Sequence, residues 1–437
     1  MLNAFKNHIE ERFSFLKKSR LVIAISGGID SVVLAHLCHK LNFNFALAHC
    51  NFNLRGKESD ADEDFVLDLG EQLDVEVFVQ NFDTETYAEE NKCSIQMAAR
   101  ELRYDWFSEL AQQLNFDYIL TAHHADDNLE TFLINFTRGT GLNGLTGIPE
   151  INGNIARPLL SFSRETIEAY AKNENIAWRE DLSNASRKYL RNKLRHDVVP
   201  ILKEINPQLL DSFQSTLQHL NDTADIVEDA VGDFIKRSVK NSNDTNTTFK
   251  ISEFKKINNP KAYLFEMFKD YGFSEWDDVV NLLDAETGKF IKSHSHRLIK
   301  YREYIILSKF PNGKYQPIEI RESTVISYFP NGSLNFHTVN EFFQINKSVI
   351  FVDQEKLKYP LELRQWQTGD VFHPIGMKGK KKVSKYLKDE KLTPIEKENT
   401  WVLTSENKIV WVVGRRADEL FKVTDQTNKI LKIELKD

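Results

Sequence analysis

The sequence is poor in cysteine, and its three cysteines, Cys38, Cys50 and Cys93, include no close pair. This spacing argues against a disulfide framework and against a zinc site, and it is typical of proteins that work in a reducing compartment. The sequence also lacks an apolar run long enough to span a bilayer. We therefore expect a cytoplasmic protein without a membrane partner.

Positive charge is not in excess either, because the formal net charge of the chain is -7. Net charge alone would argue weakly against a nucleic-acid ligand, but clustered basic residues can bind phosphates on an acidic protein. Residues 1–20 lack the apolar stretch of a secretory signal. They predict an amphipathic helix with Phe5, Ile9, Phe13 and Leu16 on one face.

With 437 residues the chain is too long for one hydrophobic core, so we expect two or three domains. The first part alternates short apolar runs with helical periodicity, which predicts an α/β domain with a parallel, doubly wound sheet. Helices are predicted over residues 96–114 and 126–136. The predicted strands are residues 21–25, 45–49, 75–79, 118–122 and 157–160.

The pattern changes after Ile176. The sequence then predicts a basic helix over residues 189–205 and a long connector helix over 208–239. A loop over 241–248, a small mixed module over 249–307 and a turn at 311–313 are expected to follow. The last part reads as mostly strand. We therefore divide the chain into an α/β domain over residues 1–206, a helical connector with a small mixed domain over 207–315, and a mainly β domain over 345–437.

The most informative motif lies between the first predicted strand and the helix after it. It comprises Ser26, Gly27, Gly28, Ile29, Asp30 and Ser31. Glycines allow close approach of the backbone to a ligand, and the N–H groups at a helix N-terminus face anions. The carboxylate of Asp30 would repel phosphate unless it holds a Mg²⁺ ion that bridges to the phosphates. A tight turn with a capping aspartate is the simpler alternative.

Two further polar clusters follow predicted strands. His49 and residues 51–55 follow the second strand, and residues 123–131, with His123 and Asp127, follow the fourth. Ligands bind beyond the carboxyl ends of parallel strands, so we expect all three clusters in one crevice. Helix capping by Asp127 would leave the adjacent histidines unexplained. A metal hydrolase that uses His49, His123 and Asp127 as ligands would leave the glycine loop unexplained.

Two basic clusters complete the candidate site residues. Arg191 and Arg195 are four residues apart, so they share one helix face, where they could grip a phosphate or a carboxylate. Residues 378–391, here called the lysine segment, could bind a nucleic-acid backbone. Its lysines are Lys378, Lys380, Lys381, Lys382, Lys385, Lys388 and Lys391. A solvated basic face and a mobile charged loop are the respective alternatives.

The glycine loop is not a Walker A motif, and it resembles the pyrophosphate loop of the adenylating ATP pyrophosphatases. Taken together, the motifs resemble the bacterial tRNA(Ile)-lysidine synthetases over nearly the whole chain. The resemblance is weakest over residues 249–307. One departure is at residues 51–53, where family members often carry acidic or histidine residues. The matching stretches are residues 26–31, 49–64, 99–104, 122–131, 138–141, 157–160, 180–184, 191–195, 369–391 and 413–416.

The resemblance implies a ligase that forms a carbon–nitrogen bond in two steps. ATP adenylates the carbonyl oxygen at ring position two of the wobble cytidine in an isoleucine tRNA with a CAU anticodon. The ε-amine of free L-lysine then displaces AMP to give lysidine. The first domain would bind and cleave ATP, and the last would bind tRNA.

The residues then take specific expected roles. The loop from Ser26 to Ser31, His49 and His123 would bind ATP, with Asp30 on Mg²⁺. Asp127 would orient or deprotonate lysine, and Arg195 would bind the lysine carboxylate or a tRNA phosphate. Further tRNA or substrate contacts are expected from Arg55, Arg191, Lys380, Lys381, Lys382 and Lys385.

Two other functions stay open from the sequence. A tRNA sulfur-transfer enzyme of the same fold would need reactive cysteines, and the absence of a close pair argues against it. A non-catalytic RNA-binding protein would use the basic segments and leave the ATP loop without a role. The oligomeric state is not fixed by the sequence, and a homodimer is among the alternatives.

Overall fold

Two units make up the chain, Met1–Glu228 and Asp229–Asp437. The computed structural model describes residues 1–180, 190–310, 313, 315–341, 346–377 and 379–436. The predictions for residues 181–189, for the turn at 311–312 and for Lys378 lie outside these ranges. In the described part of the chain, no helix has both the length and the apolarity needed to cross a membrane.

The first unit is built on a six-stranded sheet with the strand order β3-β2-β1-β4-β6-β5. Its strands are parallel except for β5, which pairs antiparallel with β6. Strand β2, the next strand along the chain, pairs with one edge of β1, and β4 pairs with the other edge. The strand order therefore reverses at β1. The bounds are β1 Arg20–Ala24, β2 Asn44–Asn51, β3 Val77–Asn81, β4 Tyr118–Leu120, β5 Ile151–Asn152 and β6 Ile155–Ala156.

Helices cover the sheet because successive side chains of its strands point to opposite faces. In β1, Leu21 and Ile23 belong to one hydrophobic core, whereas Val22 belongs to a second. In β2, Phe45 and Leu47 join the first core and Ala46 the second. The two cores confirm the predicted doubly wound sheet.

Eleven α-helices lie between the N-terminus and residue 238 in the described part of the chain. They are α1 Leu2–Arg12, α2 Ile29–Lys40, α3 Lys57–Leu73, α4 Thr84–Glu90, α5 Ile95–Leu114, α6 Ala125–Arg138, α7 Leu142–Leu145, α8 Arg164–Asn173, α9 Leu190–Lys193, α10 Val199–Ile205 and α11 Leu209–Ser238. The predicted N-terminal helix is confirmed, with Phe5 and Ile9 buried, although it ends at Arg12. Phe13 and Leu16 are buried just beyond that end.

The predicted fifth strand is wrong. Residues 157–160 form a turn, and the strand is β6, just before them. The side chain of Arg157 is buried and donates from Nη1 to the Pro149 carbonyl oxygen at 2.8 Å. A buried charged side chain needs such a partner, and the apolar pattern of the segment reflects burial of a turn.

The predicted basic helix contains a π-helical turn, Leu194–Val198, between α9 and α10. Pro200 follows this turn and has no N–H to donate to the carbonyl of His196, which favours a wider turn at this point. The long connector helix is confirmed as α11. The first two thirds of α11, up to Glu228, belong to the first unit, and its last third belongs to the second.

The second unit begins with an antiparallel sheet of order β7-β8-β11-β10-β9. The polar run 241–248 is not a loop as predicted, because β7 and β8 form a hairpin there. Exposed antiparallel strands can carry polar side chains, which hides them from an apolar pattern. The elements are β7 Val239–Ser242, β8 Asn246–Lys250, α12 Ile251–Phe254, α13 Pro260–Phe268, α14 Trp276–Asn281, β9 Phe290–Lys292, β10 His296–Tyr301 and β11 Tyr304–Lys309.

The remainder is mainly β, as predicted. Two four-stranded antiparallel sheets, β12-β16-β19-β20 and β13-β14-β21-β15, share a core that includes the buried Trp401 and Trp411. The elements are β12 Ile318–Ile320, β13 Ile326–Phe329, β14 Gly332–Val339, β15 Val349–Asp353, β16 Leu361–Gln365, β17 Val371–Phe372, β18 Lys381–Lys382, α15 Val383–Asp389, α16 Pro394–Glu398, β19 Trp401–Ser405, β20 Lys408–Val412 and β21 Ile430–Lys436.

The N-terminal helix should contribute strongly to the stability of the first unit. We expect Phe5→Ala to lower the free energy of unfolding of that unit by about 3–5 kcal/mol, because it leaves a cavity in the core. Phe136→Ala is the matched control, since 64% of the Phe136 side chain is exposed. It should change the free energy by no more than about 0.5 kcal/mol. Urea unfolding measures both, and equal effects would contradict the described packing of α1.

Candidate active site

The glycine loop turns directly from the end of β1 into α2. Gly27 has a φ of +82°, which favours glycine, and Gly28 caps the helix. The hydroxyl of Ser31 donates to the Gly28 carbonyl at 2.9 Å and accepts from the Ser26 backbone N–H at 3.2 Å. The two serines therefore hold the loop in its conformation. The positive end of the α2 helix dipole faces the space beyond the sheet.

His49 lies at the end of β2, next to this loop. It is buried, and its Nδ1 is 3.0 Å from the Ile25 carbonyl oxygen. Because a carbonyl only accepts, Nδ1 carries the proton of this hydrogen bond. Burial lowers the pKa of His49, which favours the neutral ring. Nε2 has no hydrogen-bond partner among the described residues, so it presents a buried acceptor.

The end of β4 supplies the third cluster. Thr121 Oγ1 is 3.0 Å from His123 Nδ1, and burial lowers the pKa of His123 to about 4. His124 forms a capping box at the start of α6, because its backbone N–H donates to Asp127 Oδ2 at 3.1 Å and its ring accepts from the Asp127 N–H. Asp127 therefore caps the helix, which is the simpler alternative considered from the sequence. The capping hydrogen bonds also fix the position of its side chain.

Glu130 is a site residue that sequence reasoning did not single out. Its side chain is only 1% exposed and accepts from two arginines. Arg191 Nε donates to Glu130 Oε2 at 2.8 Å, and Arg195 Nε donates to Oε1 at 2.6 Å. Arg195 also donates from Nη2 to Asp127 Oδ1 at 3.1 Å. The prediction that the two arginines share one helix face is therefore confirmed. On that face both arginines bind the carboxylates of Glu130 and Asp127.

These charges determine the state of Asp127. Burial alone would raise the pKa of its carboxyl, but the neighbouring His124 and Arg191 outweigh burial and lower it. For Arg195, burial would lower the pKa, but the hydrogen bonds that it donates to Glu130 reverse that effect and raise it. Both groups are therefore charged near neutral pH.

The strand ends enclose one cavity of about 1010 Å³, within the range that suits a nucleotide-sized ligand. Two residues that the sequence predicted as site residues, Gly27 and Arg195, do not line the cavity. Both form hydrogen bonds with residues that line it. The predicted site residues that line the cavity are Ser26, Gly28, Ile29, Asp30, Ser31, His49, Arg55, His123, Asp127 and Arg191.

Asp30 is the residue best placed to hold a cation. Its Oδ2 pairs with Arg164 and lies 3.9 Å from His124 Nε2, whereas its buried Oδ1 has no hydrogen-bond partner among the described residues. An unpaired carboxylate oxygen beside a phosphate loop fits Mg²⁺, which commonly uses one or two carboxylates plus phosphate oxygens. His49, His123 and Asp127 form no group that could hold a metal by themselves, so the geometry does not favour the metal-hydrolase alternative.

Arg55 and Arg179 meet at a second carboxylate on the other side of the loop. Arg55 Nη2 donates to Asp62 Oδ2 at 2.8 Å, and Arg179 Nε donates to Oδ1 of the same residue. The backbone N–H of Arg179 also donates to the Gly27 carbonyl at 3.0 Å. These contacts fix the segment around Arg179 beside the glycine loop.

The predicted lysines at 380, 381, 382 and 385 belong to the second unit. The lysine segment is not a simple loop, because it contains β18 and α15. Lys380, Lys382 and Lys385 are exposed. Lys381 is largely covered and pairs with Asp389 at 2.8 Å, so it contributes less free charge than its neighbours.

Known proteins match this chain along nearly its whole length. Family models match a PP-loop domain over residues 1–202, a TilS substrate binding domain over 242–310 and a TilS substrate C-terminal domain over 361–435. A tRNA(Ile)-lysidine synthase from Parabacteroides distasonis is 39% identical and covers 99% of both chains. Another, from Bacteroides thetaiotaomicron, is 36% identical and covers 97% of both. The chain belongs to the tRNA(Ile)-lysidine synthase family.

This result confirms the family resemblance and the fold class predicted from the sequence. Lysidine synthase family membership also makes the first unit an ATP-using domain of the pyrophosphate-loop type. The alternatives of a sulfur-transfer enzyme and a non-catalytic RNA-binding protein are not favoured.

The cysteines agree with this outcome. Burial raises the pKa of the Cys50 thiol to about 12, and burial raises the pKa of the Cys38 thiol as well. A sulfur-transfer cysteine works as a thiolate, which needs a lowered pKa. Cys50 lines the cavity, but it does so as a protonated thiol at neutral pH.

The depressed pKa of His123 predicts a pH-dependent stability. Between the ordinary value of 6.5 and about 4, the unfolded chain binds a proton that folded His123 does not. The free energy of unfolding of the first unit should therefore fall as pH drops through this window, by up to about 3 kcal/mol. His123→Gln should remove most of this fall, and His219→Gln, at an exposed position, should not. Urea unfolding at pH 7 and pH 5 tests this, and an unchanged pH dependence in His123→Gln would refute it.

Proposed function

We propose that this chain modifies an isoleucine tRNA with a CAU anticodon, using ATP and free L-lysine to convert the wobble cytidine into lysidine. It is a ligase that forms a carbon–nitrogen bond and releases AMP and pyrophosphate. The observation that carries the proposal is the convergence of the glycine loop, His49, His123 and Asp127 on one cavity, in a chain of the lysidine synthase family.

In the first step the cytidine carbonyl oxygen attacks the α-phosphorus of ATP. This oxygen is a weak nucleophile, so the reaction needs the phosphate held in line and its charge offset. The backbone N–H groups and serine hydroxyls of residues 26–31 hold the phosphates. Mg²⁺, when bound to Asp30, would neutralise phosphate charge. The neutral rings of His49 and His123 complete the ATP site without adding charge.

In the second step the ε-amine of lysine attacks ring carbon two, and AMP leaves with the former carbonyl oxygen. The amine must first lose a proton, because lysine is protonated near neutral pH. The ionised carboxylate of Asp127 attracts the ammonium group and either orients it or accepts a proton from it. Arg195, held by Glu130 and Asp127, offers charge for the lysine carboxylate or for a tRNA phosphate.

The remaining assignments extend this proposal to the whole chain. Residues 1–206 form the adenylation domain, 207–315 the connector and small mixed domain, and 345–437 a tRNA-binding domain. Arg55, Arg191 and the lysine segment contact the tRNA. A cytoplasmic location belongs to the same proposal, and a homodimer stays one alternative for the oligomeric state.

The reaction is tested by mass spectrometry of the isoleucine tRNA after incubation with the protein, ATP, Mg²⁺ and lysine. We expect a mass gain at the wobble cytidine that requires both ATP and lysine.

Asp30→Ala should abolish pyrophosphate release while the protein stays folded, because the variant loses a cation contact and no core packing. Asp68→Ala, at an exposed position on α3, is the matched control. Near-normal pyrophosphate release by folded Asp30→Ala would exclude the proposed role of Asp30.

The lysine segment should supply affinity for tRNA and leave ATP binding unchanged. We expect the triple change Lys380→Ala, Lys382→Ala and Lys385→Ala to weaken tRNA binding. Each lost phosphate contact should reduce the slope of log affinity against log salt by about 0.7–0.9. Lys381→Ala should have a smaller effect on the slope, because Lys381 is already paired with Asp389.

Filter binding at two salt concentrations measures the slopes. The matched control is a triple alanine variant of Lys347, Lys408 and Lys429, which are exposed on the same domain outside the lysine segment. If both triple variants change affinity and slope equally, the segment is not a specific docking surface.

A further inference from the structure

Arg164 occupies a position in the cavity that the proposed mechanism does not use. It is the first residue of α8, and its backbone N–H donates to Asp126 Oδ2 at 2.8 Å. Its guanidinium Nη1 donates to Asp30 Oδ2. The side chain lines the cavity and is 42% exposed. The hydrogen bond to Asp126 fixes the backbone of Arg164, and its extended side chain places one positive charge beside the glycine loop.

Two other arginines of the cavity, Arg179 and Arg191, are paired with carboxylates that are less exposed than Asp30. Arg191 is bound to Glu130, which is 1% exposed, and Arg179 is bound to Asp62, which is 12% exposed. Arg164 differs because its partner is Asp30, which has a second oxygen without a hydrogen-bond partner among the described residues. Its ion pair is therefore the one that ATP and a cation would have to rearrange.

ATP brings about three to four negative charges to this point, and the carboxylate of Asp30 repels them. A cation on Asp30 removes the repulsion and competes with Arg164 for the same carboxylate. The freed guanidinium then lies beside the phosphates, and its planar fork suits phosphate oxygens. We infer that Arg164 is a further catalytic residue, which leaves Asp30 when ATP binds and contacts the β- and γ-phosphates.

This inference rests on the proposed adenylation and specifies one contact in it. When the cytidine oxygen bonds to the α-phosphorus, the bond from that phosphorus to the bridging oxygen of the β-phosphate breaks. The electron pair stays on the departing pyrophosphate, where negative charge increases. Arg164 offsets this charge and transfers no proton, because a guanidinium stays protonated.

A purely structural role is the competing explanation, since the Arg164–Asp30 pair ties α8 to α2. The chain offers a matched control for it. Lys40, at the end of α2, pairs with Glu174, the residue that caps the end of α8. This pair joins the same two helices, and neither of its residues lines the large cavity. Lys40→Gln therefore removes a comparable tie without touching the phosphate site.

Calorimetric titration of the full chain with α,β-methylene-ATP and with AMP, both with Mg²⁺, separates the two roles. We expect Arg164→Gln to weaken binding of the triphosphate analogue by about tenfold or more and to change AMP binding less than about twofold. Arg164→Lys should recover part of the lost affinity, because it keeps the charge without the fork. Lys40→Gln should bind both ligands as the unaltered protein does. Equal losses for both ligands in Arg164→Gln, or no loss for either, would overturn the inference.

Pyrophosphate release with tRNA and lysine is the second readout. We expect Arg164→Gln to lower kcat at saturating ATP, because the contact is strongest as pyrophosphate departs. An unchanged kcat would contradict this role. If the unaltered protein itself releases no pyrophosphate, the proposed function fails, and the comparison of α,β-methylene-ATP with AMP still decides whether Arg164 binds the outer phosphates.

Discussion

The site depends on one constraint, the parallel pairing of β1 with β2 and with β4. Parallel pairing brings the carboxyl ends of these strands to one edge of the sheet, at the point where the strand order reverses. The glycine loop, His49 and the cluster after β4 are far apart in sequence, and this pairing places them in one cavity. Burial of apolar side chains on both faces of the sheet fixes the strands and so fixes the site.

Charge pairing gives the cavity its second property. Four arginines that line the cavity are each bound to a carboxylate, namely Arg55, Arg164, Arg179 and Arg191. The most deeply buried of these carboxylates, Glu130, also binds Arg195. Such a site is neutralised before its ligands arrive, which lowers the cost of keeping several charges close together. In the proposed reaction, ATP and a lysine cation would bind by exchanging partners with groups that are already in place. Asp30 and Asp127 are the carboxylates at which this exchange is expected.

Much of the first domain was predictable because its strands are buried on both faces and therefore read as apolar runs that end in polar motifs. Residues 157–160 misled the prediction, since a buried turn is as apolar as a strand. The hairpin at β7 and β8 was missed because β7 is mostly exposed and β8 begins with the polar residues 246–248, so neither strand reads as an apolar run. Glu130 was missed because its position in the helical motif indicated a cap, and its two arginine partners lie more than 60 residues away. Spacing within one segment could not show this pairing, and it could not show that Lys381 is paired with Asp389.

The central claim is that the oxygen of the tRNA cytidine, and not that of water, attacks the α-phosphate in this cavity. It is tested most directly by running the complete reaction in water enriched with oxygen-18 and measuring the masses of AMP and pyrophosphate. The account predicts that neither product carries the label, because AMP leaves with the former cytidine oxygen. Incorporation of oxygen-18 into AMP in step with lysidine formation would mean that water attacks ATP, and it would contradict the account.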